Sequence, residues 1–330
     1  MKKISSKYAC LYHLAIAACL ATNLSSCSDN TGTDILNAEQ DELLTRSIQV
    51  SVPLDAKDAD SLDVQVFIYD QTGTKFLGEA ETTAIDLQPD STYLAHAIIE
   101  ADNAAITASY LRCKLIVLGN APEGDGSISS IERLKFDHTV SSLPLYGAVN
   151  VEQQLDPKLE VSCAEIPLLR SGALLKVQLG QDLYDAGITL RSVVIKGVNK
   201  NGFVAPKNAM TFNSLTDIDP VRFFNPDASQ KTDLTLTQMP DSSMQSYVPE
   251  CEAPADGPFE IDLQFLRDGK PYTGIFGQKI YLKDYATNKP LDIVRGNQYI
   301  FTIRSLQTEA DLEIKVENWK HVTPENVVFK

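Results

Sequence analysis

Apolar and polar residues alternate in short segments along most of this chain. In the clearest segment, apolar residues at 259, 261, 263 and 265 alternate with Glu260, Asp262 and Gln264. Because successive side chains of a strand point to opposite faces, this period of two predicts a β-strand with one face on a core. The sequence Arg267-Asp268-Gly269-Lys270 follows it and predicts a hairpin turn. Similar patterns predict strands over residues 47–52, 62–69, 114–118, 173–179, 188–198, 279–282, 298–303 and 312–316.

The first 26 residues have the order of charges and apolar residues of a secretory signal. Lys2, Lys3 and Lys7 precede an apolar run over residues 14–21, and the first acidic residue is Asp29. The run is much shorter than the roughly 20 residues that span a bilayer. We therefore expect residues 1–26 to be a cleaved signal peptide rather than a transmembrane helix.

The signal ends in Leu24-Ser25-Ser26-Cys27, which resembles a lipobox, the motif at which a lipoprotein signal peptidase cuts ahead of a lipidated cysteine. Several acyl chains, such as palmitate, would anchor Cys27 stably, since each buried methylene contributes roughly 0.8 kcal/mol. Residues 27–46 are polar and acidic and predict a flexible tether. Ser28-Asp29-Asn30 also resembles the tag that directs some lipoproteins to the outer face. We expect a surface-exposed lipoprotein of a Gram-negative outer membrane.

The rest of the chain predicts an all-β fold of two domains. About 300 residues exceed what one hydrophobic core usually supports. Helical periodicity is scarce, and only residues 128–136 and 101–110 have a spacing that fits short helices. The many short strands indicate two tandem β-sandwiches. We expect an N-terminal domain over residues 47–168 and a C-terminal domain over residues 169–330.

Charge and cysteine content exclude several classes of partner. The formal net charge is −15, and removal of three signal lysines makes it −18, which repels nucleic acid. We therefore expect no nucleic-acid partner. Cys113, Cys163 and Cys251 remain after the signal and the lipidated cysteine are set aside, without the CxxC spacing of a zinc site. We interpret them as buried small hydrophobic residues.

Motifs of catalysis are absent from the sequence. His96, His138 and His321 are the histidines beyond the signal, and no HExxH, GxSxG, phosphate-binding or dinucleotide-binding motif occurs. The aspartates at 55, 58, 60 and 63 lack the spacing of a calcium loop and read as a solvated turn. We expect no catalytic residue, no metal and no cofactor.

Seven short segments follow the lipobox in an order that matches a known family. They are VQVFIYD (64–70), KLIVLGN (114–120), LPLYG (143–147), LRSGALLKV (169–177), YVPE (247–250), RGNQY (295–299) and VENW (316–319). Together they resemble the fimbrillin superfamily, the lipoprotein subunits of type V pili. No single segment is specific, but their order along the whole chain is.

The resemblance implies two transthyretin-like β-sandwich domains, no enzymatic activity and assembly with other pilus subunits. In this family an outer-membrane arginine-specific protease removes the N-terminal strand of a shaft subunit, and the C-terminal tail of a neighbour takes its place. The incoming strand pairs with exposed backbone and covers an apolar groove. Residues 320–330 have the length and apolarity of such a donor strand, with Val322, Val327, Val328 and Phe329 as candidate anchors. The sequence does not indicate the adhesive target.

Arg46 and Ser47 are the candidate processing site, but their position is unusual for the family. Shaft subunits are usually cut after the first strand, whereas Arg46 precedes the strand predicted over residues 47–52. The following loop, residues 53–61, contains Lys57 but no arginine. A cut at Arg46 would release the lipid and leave the first strand in place. Three interpretations stay open: a different protease acts on this subunit, the subunit is not an ordinary shaft subunit, or Arg46 is an ordinary tether residue.

Three functional interpretations remain open. The first is a structural pilus subunit that assembles by strand exchange and supports adhesion. The second is the lipid-anchored base or anchor subunit of the same pilus, which keeps its lipid. The third is a surface glycan-binding lipoprotein, for which several exposed tryptophans would be expected, and the single Trp319 argues against it.

Overall fold

The structure is a computed structural model that describes residues 46–53, 63–87, 92–99, 106–107, 110–154, 161–162, 168–211, 224–273, 279–305 and 312–318. Nearly all regular structure in these residues is β-strand, which confirms the predicted all-β class. The strands are β1 (Arg46–Pro53), β2 (Val64–Tyr69), β3 (Phe76–Leu87), β4 (Thr92–Ile99), β5 (Ile106–Thr107), β6 (Tyr110–Gly119), β7 (Lys135–Asp137), β8 (Leu145–Gln154), β9 (Val161–Ser162), β10 (Leu169–Arg170), β11 (Gly172–Leu179), β12 (Ile188–Asn199), β13 (Asn201–Phe203), β14 (Lys231–Thr235), β15 (Thr237–Gln238), β16 (Met244–Pro249), β17 (Phe259–Arg267), β18 (Lys270–Tyr272), β19 (Lys279–Asp284), β20 (Lys289–Pro290), β21 (Asn297–Ile303) and β22 (Leu312–Asn318). The helices are α1 (Ile128–Ile131), α2 (Gln181–Asp185) and a 3-10 turn at Ala209–Thr211.

The strands up to residue 170 form one sheet, apart from β7. Its order is β10-β8-β6-β2-β3-β4-β1-β9, and β5 pairs with β6. The long strand β3 joins its two parts, because residues 76–80 pair with β2 and residues 81–87 pair with β4. All six residues of β2 are buried, so other parts of the protein cover both faces of the sheet there.

One core on this sheet includes residues from far along the chain. Phe67 of β2, Ile116 of β6 and Tyr146 of β8 are fully buried in it. Residues 203–211, which we call the strap, contribute four further buried side chains to this core. They are Val204, Ala205, Ala209 and Met210. Residues on both sides of the predicted domain boundary near residue 168 therefore build the first core, and the boundary itself stays a prediction.

The strands from residue 172 onward, apart from β13, form two sheets on a second core. One sheet has the order β15-β16-β11-β21-β22, and the other has the order β14-β12-β17-β19-β20 with β18 beside β17. Buried residues of both sheets, such as Val177, Ile261 and Phe301, belong to one hydrophobic cluster. This is the arrangement of a β-sandwich.

The strongest sequence pattern is confirmed in β17. Its alternating apolar residues at 259, 261, 263 and 265 are all buried. Arg267 pairs with Lys270 across the predicted turn, and Asp268 and Gly269 have φ angles of 51° and 76°. Two central residues with positive φ are typical of a type I′ hairpin turn. All nine predicted strands occur in the structure.

Both predicted helices are wrong in part. In the segment 128–136, α1 covers only Ile128–Ile131 and is capped by the Ser127 side chain, which accepts a hydrogen bond from the Ser130 N–H. The last residues belong to β7, which pairs with the distant strand β13. In the segment 101–110, residues Ile106–Thr107 and Tyr110 belong to the β5–β6 hairpin. In both segments, backbone N–H and C=O groups pair with a neighbouring strand, although the local spacing of apolar residues suggested a helix.

Candidate functional site

The first described strand, β1, lies inside the first sheet. It pairs antiparallel with β4 over all eight residues, from Arg46 opposite Ile99 to Pro53 opposite Thr92. On its other side, residues 48 and 49 pair in parallel with β9. Removal of β1 would uncover the edge of β4 over eight residues, so β1 is the natural candidate for an exchangeable strand.

The candidate processing residues are the first two residues of this strand. Arg46 lies opposite Ile99 and Ser47 lies opposite Ile98. The strand therefore begins one residue earlier than the sequence predicts. A cut between Arg46 and Ser47 would leave seven of the eight pairs with β4 in place. Whether this bond is cut stays a prediction.

The other candidate site residues lie outside the described part of the chain. They are Cys27, Val322, Val327, Val328 and Phe329. The last described strand, β22, is the outermost strand of the five-stranded sheet and pairs with β21 over seven residues. Residues 319–330 therefore follow a strand at the edge of a sheet.

The family-like segments YVPE and RGNQY meet in a buried ion pair. Nη2 of Arg295 lies 2.7 Å from Oε2 of Glu250, and the two side chains are 0% and 1% exposed. The Arg295 guanidinium also donates to the backbone carbonyls of Phe203, Val204 and Ala205 at 3.0–3.3 Å. The Glu250 carboxylate also accepts hydrogen bonds from two backbone N–H groups, that of Arg295 at 3.1 Å and that of residue 225 at 2.9 Å. These hydrogen bonds offset much of the cost of burying two charges.

Three other family-like segments, residues 114–120, 143–147 and 169–177, also bind the strap. Nζ of Lys114 donates a hydrogen bond to the carbonyl of Met210 at 2.5 Å. The hydroxyl of Tyr146 donates to the carbonyl of Ala209 at 3.1 Å. The hydroxyl of Ser171 donates to the carbonyl of Val204 at 2.8 Å. Burial lowers the pKa of Lys114 and raises the pKa of Tyr146. These residues bind a backbone segment, and their arrangement is structural.

The comparisons with known proteins agree with this picture at the level of the fold. No protein-family profile and no curated protein matches the sequence. The structure, however, is similar to the tip fimbrial protein Mfa3 from Porphyromonas gingivalis, truncated at its C-terminus, with a TM-score of 0.52 and 12% identity over 83% of this chain and 98% of that chain. The chain has a fimbrillin-like fold.

Two further solved structures are similar at lower scores. One is a candidate cell adhesion protein from Bacteroides uniformis, with a TM-score of 0.49 and 14% identity over 83% of this chain and 98% of that chain. The other is a fimbrial assembly protein from Parabacteroides distasonis, with a TM-score of 0.45 and 16% identity over 83% and 96% of the two chains.

The cysteines of this fimbrillin-like fold are structural where they are described. Cys113 and Cys251 are buried, as predicted, and Cys163 lies outside the described residues. Burial raises the pKa of the Cys251 thiol, although Nζ of Lys231 lies 3.1 Å from its sulfur. Within the described ranges, no three His, Cys, Asp or Glu residues are placed to hold a metal ion. None of the helices described is long and apolar enough to cross a membrane.

Sequence reasoning identified the fimbrillin-like segments but missed what they do. YVPE and RGNQY are separate segments of the sequence, but their residues Glu250 and Arg295, 45 positions apart, form one ion pair. One feature of the sequence could have indicated the ion pair: each segment has a charged residue next to apolar residues of a strand. A charge in such a place is buried only with a partner.

Proposed function

We propose that this chain is a structural subunit of a cell-surface pilus that joins its neighbours by strand exchange and supports adhesion. The observation that carries the proposal is the place of β1, the first strand after the predicted tether, in an eight-residue ladder with β4. A strand from another subunit that takes this place would restore the ladder with β4. The fold shared with the fimbrial protein Mfa3 supports the same interpretation.

The predicted donor is the segment after β22. Val327 and Phe329 would point to one face of an extended strand, and Val328 would point to the other. Burial of each such side chain stabilises a complex by roughly 1.5–3 kcal/mol. Together with a backbone ladder, these contacts would make dissociation slow, as a fibre requires.

A second candidate function, the lipid-anchored base subunit, is favoured by the position of Arg46. Because Arg46 begins β1 instead of following it, a cut there would not open the edge of β4. The loop of residues 54–62 contains no arginine at which a later cut would do so. A subunit that keeps β1 can donate its own tail but has no vacant strand position at β4. In this candidate, Cys27 holds the chain at the outer membrane through its acyl chains.

The mass of the mature N-terminus, measured on protein purified from the cell surface, tests these assignments. Acylated Cys27 indicates the base subunit, and an N-terminus at Ser47 indicates processing at Arg46. The Cys27→Ala variant is the control, and we expect it to remain uncut in a soluble or inner-membrane form. If that variant fractionates with the outer membrane as the unchanged protein does, the lipid anchor is wrong.

A further inference from the structure

A cleft of about 630 Å³ lies where the chain crosses from one sheet of the β-sandwich to the other, and we call it the corner cleft. β14 ends at Thr235 as the terminal strand of the six-stranded sheet, and β15 begins at Thr237 as the terminal strand of the five-stranded sheet. The described lining consists of residues 138–141, 233–235 and 245–247 with Leu174, Thr237 and Met239. The volume is in the range of small-molecule sites, roughly 300–1,000 Å³.

The backbone at this corner is already hydrogen-bonded. The N–H of the buried Leu236 donates to the carbonyl of Val193 at 2.9 Å, and the N–H of Met239 donates to the carbonyl of Ser243 at 2.8 Å. The two residues of β15 between them pair with β16. A strand that adds to a sheet needs a run of unpaired backbone groups, and few remain at residues 236–239. A ligand at the corner therefore meets mainly side chains.

Several lining side chains offer hydroxyl or amide groups to a ligand. Five of them form no side-chain hydrogen bond within the part of the chain that the structure describes: Ser141, Thr235, Thr237, Gln245 and Ser246. Each hydroxyl can both donate and accept, and the Gln245 amide has an oxygen that accepts and an NH₂ group that donates. Neighbouring hydroxyl groups of one ligand can therefore pair with this lining.

The charge of the lining favours a neutral ligand. Among the described lining residues, Asp233 is the one carboxylate, and there is no lysine or arginine. The Asp233 carboxylate is already held by Nζ of Lys196 at 3.1 Å and by the N–H of Gly197 at 3.1 Å. A charged ligand would find no free counter-charge in these residues, and burial of an unpaired charge is costly.

Tyr247 provides a fixed apolar surface in the cleft. It is partly buried and packs against the first core, as does Val140 of the loop after β7. Its partner across the strands is Leu174, which is also part of the lining. An aromatic ring held in this way can pack against the C–H face of a sugar ring. An apolar surface with hydroxyl and amide groups around it matches a saccharide.

We propose that the corner cleft binds a neutral saccharide. Thr235, Thr237 and Gln245 pair with its hydroxyl groups, and Tyr247 packs against its ring. The inference rests on the proposed function, since it names the class of ligand to which the pilus subunit adheres. Each subunit of a fibre would present its own cleft, so a weak single contact becomes firm adhesion through multivalency.

Binding of the full mature chain to an array of immobilised neutral, sialylated and sulfated oligosaccharides tests the proposal. We expect binding to neutral oligosaccharides. Gln245→Leu keeps the size of the side chain and removes its hydrogen-bonding groups, and Gln264→Leu makes the same change at an exposed position of β17 outside the cleft. We expect Gln245→Leu to weaken binding at least about tenfold and Gln264→Leu to leave it unchanged. Thr237→Val, which removes one hydroxyl at constant shape, should also weaken binding.

Three results of the array would overturn the proposal. They are binding to none of the oligosaccharides, binding confined to the sialylated or sulfated ones, and equal effects of Gln245→Leu and Gln264→Leu. All variants should unfold at the temperature of the unchanged protein, which excludes a folding defect.

Hydrogen exchange and fibre formation separate this proposal from other outcomes. Slower exchange at residues 235–247 with a synthetic peptide of residues 320–330, and no change with the neutral oligosaccharides, would make the cleft a peptide site and overturn the proposal. A chain that forms fibres on a mild-detergent gel but binds no oligosaccharide would overturn the saccharide site alone. A chain that binds neutral oligosaccharides but forms no fibres would overturn the pilus subunit and leave the saccharide site standing.

Discussion

Arg295 and Glu250 face each other across 2.7 Å in the interior, and both also hold backbone groups. The guanidinium binds the carbonyls of residues 203–205, which belong to the strap on the first core. Arg295 lies two residues before β21, and Glu250 directly follows β16. The pair therefore joins the β-sandwich to the segment that completes the first core.

Loss of one partner of this pair should be strongly destabilising. Arg295→Met leaves the Glu250 carboxylate buried without its counter-charge, and such a change typically costs about 3–5 kcal/mol in the free energy of unfolding. The matched control is Arg304→Met, because Arg304 pairs with Glu313 at the same 2.7 Å but with side chains 63% and 54% exposed. That variant should change the free energy of unfolding by no more than about 1 kcal/mol. Urea unfolding of both measures the contrast, and equal losses would contradict the structural role of Arg295.

Lys114 should make stability depend on pH in the alkaline range. Burial lowers its pKa below the usual value of 10.5, against a smaller opposing effect of the Asp70 carboxylate. Between the lowered pKa and 10.5, the unfolded chain holds a proton that the folded chain has released, so stability rises with pH through this group. The unchanged protein should therefore gain stability relative to Lys114→Met as pH rises toward 10.5.

Denaturant unfolding of the two proteins at several pH values measures this difference. Lys289→Met, at an exposed position of β20, is the control and should show a constant difference from the unchanged protein. A difference for Lys114→Met that is also independent of pH would mean that Lys114 keeps its proton when buried.

The two described cysteines should be unreactive in the folded protein. Both Cys113 and Cys251 are 0% exposed, and burial raises the pKa of the second thiol, which lowers the fraction of reactive thiolate. Alkylation with iodoacetamide followed by mass spectrometry should leave both unmodified under native conditions and modify both in guanidinium chloride. Rapid native labelling of Cys251 would show that the strand ending at Pro249 opens readily.

Local patterns of the sequence were enough to predict the strands that have one buried face. β17 is the clearest case, because its alternation and its Asp268-Gly269 turn are both encoded within a dozen residues. Among the strands of six or more residues, β3, β4, β8 and β16 were not predicted. In β8, apolar and polar residues alternate only over residues 149–152, while residues 145–148 (Leu-Tyr-Gly-Ala) do not alternate, so its local pattern is short. Its place between β6 and β10 depends on long-range pairing that no local pattern records.

Only those features of the candidate site that depend on adjacent residues could be predicted from the sequence. The strand at residues 47–52 and its relation to Arg46 follow from adjacent residues. The strap could not be predicted, because its buried residues complete a core built from strands more than 50 residues away. A groove lined by residues 138–141, β14 and β16 likewise forms only in the folded chain.

Deletion of Lys320–Lys330 tests most directly whether this chain polymerises through its tail. The truncated protein should remain folded, with an unchanged thermal unfolding midpoint, since the described core is complete by β22. On a mild-detergent gel it should run as a monomer and be absent from the high-molecular-weight ladders that the full chain forms. A truncated protein that folds and still forms ladders would contradict assembly through the tail, and one that unfolds would show that the tail belongs to its own core.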